Sequence, residues 1–70
     1  MNLSKAEEGK EYVIKDINTC DEELKSFLFS LGCYSGEKIT VISNLKNSLS
    51  VAIKDSRYDI DMHLASAIEI

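Results

Sequence analysis

The chain of 70 residues has no proline, no tryptophan, one histidine, two cysteines and no long apolar run. Each shortage closes something off. Without proline there is no stiff linker to separate two units. No stretch approaches the roughly 20 apolar residues of a membrane-spanning helix. The opening Met1-Asn2-Leu3-Ser4-Lys5 leads into no hydrophobic signal region, so the chain is expected to stay in the cytosol and to insert into no membrane. Eight basic residues stand against twelve acidic ones, a net charge of −4. Binding to phosphates needs clustered Lys and Arg, so nucleic acid is a poor fit as a partner. Cys20 and Cys33 form no C-x-x-C pair and read as two reduced thiols, one at the start of a helix and one at its end.

Catalytic groups are equally scarce. His63 is the single histidine. Asp59, Asp61 and His63 are spaced two apart and would share one face of a strand, a geometry open to a metal. Acid-rich strands are far more often solvated edges, and the whole ligand set is one His, two separated Cys and scattered carboxylates. A nucleophile drawn from Cys20 or Cys33 with His63 as base lacks a third residue to orient the base. Gly32-x-x-x-Gly36 is no phosphate loop, because no Lys-Ser/Thr follows it and it leads from helix to strand. The expectation is therefore no enzyme, no cofactor and no tight metal site.

What the sequence does hold is organised around Leu31-Gly32-Cys33-Tyr34-Ser35-Gly36. Upstream, Leu24, Phe27, Leu28 and Leu31 recur at helical spacing, which predicts an amphipathic helix over about 20–31 with this stripe inward. Thr19-Cys20-Asp21-Glu22 matches a capping box, with Thr19 as the N-cap and Glu22 reaching back. Gly32 falls where a helix ends in a left-handed residue, and Cys33 would then touch Leu28. Gly36 supplies a second turn residue. Leu31, Gly32 and Gly36 are thus the structural corner of the chain.

Strands are expected on both sides. Glu11–Ile17 reads as one strand covered on both faces for part of its length. The β-branched run in Glu37–Asn44 reads as the second strand. Leu49–Ile53 alternates with Leu49, Val51 and Ile53 inward, and Arg57–Asp61 alternates with Tyr58 and Ile60 inward. Asn44–Ser48 and Lys54–Ser56 are connections. Met62–Ala67 reads as one helical turn and Ile68–Ile70 as a short last strand. Lys5–Glu8 is too short to hold a helix by itself. One domain over residues 1–70 follows, mainly β: a small barrel of about five strands, with one helix between strands one and two.

Three stretches taken in order resemble the ferrous iron transport protein A (FeoA) family. They are Leu3-x-x-Ala6-x-x-Gly9, then Leu31-Gly32-x-x-x-Gly36-x-x-Ile39, then Ser56-Arg57-x-x-Ile60 with Ala65-x-x-Ile68-x-Ile70. Ser35 stands where the family often has Pro, and Cys33 where it usually has an aliphatic residue. The resemblance implies an SH3-like barrel. It also implies an accessory role in ferrous iron uptake, through contact with the cytosolic GTPase region of the FeoB-type membrane transporter. It carries over no catalytic or metal residue. The alternatives are a stand-alone SH3-like module related to the C-terminal domain of metal-dependent repressors, and a generic peptide-binding adaptor. Three Tyr, two Phe and no Trp are a thin supply for the aromatic groove of such an adaptor.

A module without chemistry acts by contact. Phe29 lies off the apolar helix stripe, and Tyr34 lies on the turn between the two glycines, where a large ring has little core to enter. Phe29 and Tyr34 are therefore the candidate contact residues, the alternative being that Phe29 folds under the N-terminal segment and Tyr34 covers the end of the barrel.

Overall fold

Asp21, rather than Thr19, caps the main helix. In a computed structural model describing residues 1–70, helix α1 runs Glu22–Ser30, and Asp21 Oδ1 accepts from the N–H groups of Glu23 and Leu24 at 3.0 and 3.2 Å. Thr19 Oγ1 accepts instead from the Asp21 N–H at 3.1 Å, one step earlier in the approach to the helix. Glu22 and Glu23 face the positive end of the helix dipole. At the other end Leu31 is the C-cap. Gly32 N–H donates to Phe29 O at 3.0 Å and Cys33 N–H to Leu28 O at 3.1 Å, the two bonds of a Schellman turn. Gly32 has φ of 97°, a left-handed conformation that costs glycine least.

Six strands and two helices surround the core: β1 (Glu11–Val13), β2 (Asp16–Ile17), α1, β3 (Lys38–Asn44), β4 (Ser48–Ile53), β5 (Ser56–Asp61), α2 (Met62–Ser66) and β6 (Ile68–Glu69), preceded by a 3₁₀ turn at Leu3–Lys5. One antiparallel sheet has the order β1-β3-β4-β5, and β2 pairs with β6 in a second.

The extended stretch 11–17 is two strands rather than one, which raises the count from about five to six and puts α1 between β2 and β3. The reason is a change of partner. Ile14 N–H donates to Glu37 O at 2.8 Å, and Ile14 O accepts from Gly36 N–H at 2.7 Å. The next residue, Lys15, donates instead to Glu69 O at 2.7 Å. The chain thus leaves one sheet and joins the other. Val13 is exposed while Ile14 and Ile17 are buried, so both faces are not covered along this stretch.

The alternation of β4 puts Leu49, Val51 and Ile53 into the core, as does that of β3 for Ile39 and Val41. A register shift between Val41 and Ser43 bends β3, and Ile42 is left partly exposed there. Ile60 is buried and Tyr58 half-buried against the core. Lys54 takes φ of 57° in the two-residue turn between β4 and β5.

The two ends of the chain meet. Ile70 N–H donates to Met1 O at 2.9 Å and Asn2 bridges Glu69. The 3₁₀ turn is held by the Asn2 side chain, which accepts from Ser4 N–H at 3.0 Å, and by packing on α2. Leu3 is thereby fully buried, although the turn is too short to persist alone. Every buried side chain in the core is apolar.

Candidate contact surface

The corner after α1 builds the most distinctive surface feature. The Schellman turn reverses the chain, and Tyr34 N–H donates to Gly32 O at 2.9 Å while Glu37 N–H donates to Tyr34 O at 3.0 Å. Ser35 Oγ fastens the loop to Lys15 O at 2.8 Å. Gly36, with φ of 92°, then delivers the chain into β3. This path lays the Tyr34 ring on that of Phe29, with centroids 5.2 Å apart and planes 8° from parallel. Lys25 Nζ lies 5.9 Å from the Phe29 centroid, one helical turn away.

The two aromatics are brought together, but they are not equally free. Tyr34 is 49% exposed. Phe29 is half-buried and leans on the core. It lies about 140° round the helix from Leu24, so its cover does not come from the helix face. The loop folding back supplies part of it.

Phe27 reverses its expected place. Leu24 and Leu28 are buried and Leu31 is half-buried, whereas Phe27 is 48% exposed. It sits at the margin of the stripe, about 60° round the helix from Leu24. Spacing alone put it inside. The signal that separates it is its position to one side of the Leu24–Leu28–Leu31 row. Leu45, at 62% exposure in the β3–β4 connection, is a further apolar side chain in solvent.

The remaining candidates have structural employment. Asp59 Oδ1 accepts from Ser50 Oγ at 2.6 Å, across the β4–β5 pair. Asp61 Oδ1 accepts from Leu64 N–H at 2.8 Å as the N-cap of α2. His63 is exposed on that short helix. Asp59, Asp61 and His63 therefore do not converge, and no group of three His, Cys, Asp or Glu side chains is placed to hold an ion. Cys20 is exposed and Cys33 buried, both as free thiols. Burial pushes the Cys33 thiol up to about 11, so it stays protonated at neutral pH. The surface has no pocket, and no helix is long and apolar enough to cross a membrane.

A four-stranded antiparallel sheet and a two-stranded one, wrapped round a common core with a helix inserted between β2 and β3, make a small SH3-like barrel. The FeoA domain family model matches residues 1–70. The Helicobacter pylori protein assigned as Fe(2+) transport protein A is 32% identical over 60 residues, covering 86% of this chain and 77% of that one. The chain belongs to the FeoA family. Among solved structures, a FeoA described as an iron uptake regulatory protein superposes with a TM-score of 0.89 at 20% identity, covering 97% of this chain and 91% of that one. Stenotrophomonas maltophilia FeoA, solved in complex with zinc and described as a prokaryotic SH3 domain protein, gives 0.88 at 18% identity, over 99% and 87% of the two chains. A manganese-dependent transcriptional repressor gives 0.89 at 21% identity, over 97% of this chain, which spans only 39% of the repressor's length. At these identities the structural likeness speaks for the fold alone.

Proposed function

We propose that residues 1–70 act as one unit, a cytosolic accessory protein of ferrous iron uptake that binds the cytosolic GTPase region of an FeoB-type membrane transporter. Ferrous iron is the transporter's cargo in this reading, and the protein does no chemistry of its own. Membership of the FeoA family supports the pathway. The observation that carries the mode of action is the Phe29–Tyr34 stack, a rigid aromatic pair held at the barrel surface by a hydrogen-bonded corner. Aromatic side chains with one buried partner and one exposed ring are the usual anchors of small interfaces.

Tyr34→Ser and Phe29→Ser separate contact from packing. Tyr34→Ser is expected to keep the chain folded, losing only about 0.5–1.5 kcal/mol from the stack on Phe29. It should weaken capture of the transporter's cytosolic domain by at least about tenfold, as loss of an interface anchor does, and lower iron uptake in cells. Phe29→Ser should lose both binding and some stability. A Tyr34→Ser chain that is folded and binds as tightly as the parent would place the contact on another face.

A further inference from the structure

We propose that β5 is the seam of a symmetric dimer, pairing antiparallel with β5 of a second copy so that Arg57 of each chain lies opposite Asp59 of the other. The inference is independent of the aromatic surface described above.

The backbone of β5 has an open side. β5 ends the order β1-β3-β4-β5 and pairs with β4 alone. Which of its residues face outward follows from the ladder. Val41 N–H donates to Lys10 O, so Val41 turns its main chain toward the β1 side, and by alternation so does Ile39. Thr40 then turns toward its partner Ala52, which leaves Val51 and Ile53 bonding to β5. Their partners there are Tyr58 and Ser56. Arg57 and Asp59 therefore point their N–H and C=O groups away from the sheet, and no other main chain in the molecule bonds to them. Both side chains are exposed.

An open edge usually carries charge that repels another strand. This edge carries one charge of each sign, two residues apart. A two-fold axis through Arg57 would face two guanidinium groups, and one through Asp59 would face two carboxylates, both unfavourable. An axis through Tyr58 faces Arg57 with Asp59 twice. In that register the paired residues are also the ones whose main-chain groups point outward, so about four inter-chain hydrogen bonds form together with two ion pairs. Asp59 can take part without giving up its present contact, since Ser50 occupies Oδ1 and leaves Oδ2 for the guanidinium. Tyr58 of each copy meets its counterpart on the opposite face, a favourable cross-strand aromatic pair. The seam is short, so the dimer is reversible and weakened by salt.

Sedimentation equilibrium from micromolar to millimolar concentration at low salt tests this. The parent chain is expected to rise from the monomer mass toward twice that mass. Arg57→Asp and Asp59→Arg, each alone, replace both attractive pairs with repulsive ones and should weaken association by at least about tenfold. An equimolar mixture of those two variants restores both pairs, as does the double variant R57D/D59R, so each should dimerise again. Recovery in the mixture also shows that the single variants are folded. A parent chain that stays monomeric at millimolar concentration overturns the proposal. So does a dimer indifferent to the single substitutions, or single variants that fail to associate when mixed.

Discussion

Gly32 holds the corner on which the aromatic stack depends. Its φ of 97° lies where a β-branched residue is strained, and a Cβ there would stand 3.4 Å from Ile53 Cγ2. Gly32→Val is expected to lower stability by roughly 1–3 kcal/mol, read as a reduced urea midpoint; an unchanged midpoint would contradict the strain argument. This residue was legible in the sequence, because an apolar stripe that stops at Leu31 followed by glycine has one common geometry. Phe29 was legible only in part. A helical wheel places it away from the core, and the residue that covers it is five positions on, beyond a reversal whose path a wheel does not describe. Phe27 was misplaced for a related reason. The same spacing serves a residue at the centre of a stripe and one at its edge, and only the packed neighbours distinguish them.

Among the elements, α1 shows how two local signals compete. Thr19-x-x-Glu22 satisfies the capping-box pattern, yet Asp21 is the cap. A carboxylate is at least as good an acceptor as a hydroxyl at that position, and Asp21 reaches two N–H groups with one oxygen. Asp21→Ala is expected to cost about 1 kcal/mol, and Thr19→Ala clearly less. Equal losses for the two in urea denaturation would mean that both residues share the cap. β4 was legible because strict alternation has one reading when one face is covered. The division of 11–17 into β1 and β2 was not, since it depends on where Gly36, Glu37 and Glu69 offer their main chain, and those partners lie far along the sequence.

At the scale of the molecule, the barrel is a small core closed by its own ends. The first and last residues bond to each other, and Leu3 and Ile68, from opposite ends of the chain, are both fully buried. A chain of this size has a net stability of roughly 4–10 kcal/mol, so one large core truncation is a substantial fraction of the whole. Leu3 tests the closure best. It belongs to a turn that local propensity cannot hold, and it is buried only because α2 packs over that turn and the end of the chain returns beside it. Leu3→Ala is expected to lose about 2–5 kcal/mol, as fully buried leucines do. Leu45→Ala, at an exposed position in the β3–β4 connection, should stay within about 0.5 kcal/mol of the parent. Urea unfolding of both variants, followed by far-UV circular dichroism, makes the comparison. A Leu3→Ala chain as stable as Leu45→Ala would mean that the N-terminal turn is an appendage on a barrel that holds without it. A loss within the expected range would make the first residues of the chain as much a part of the core as the strands.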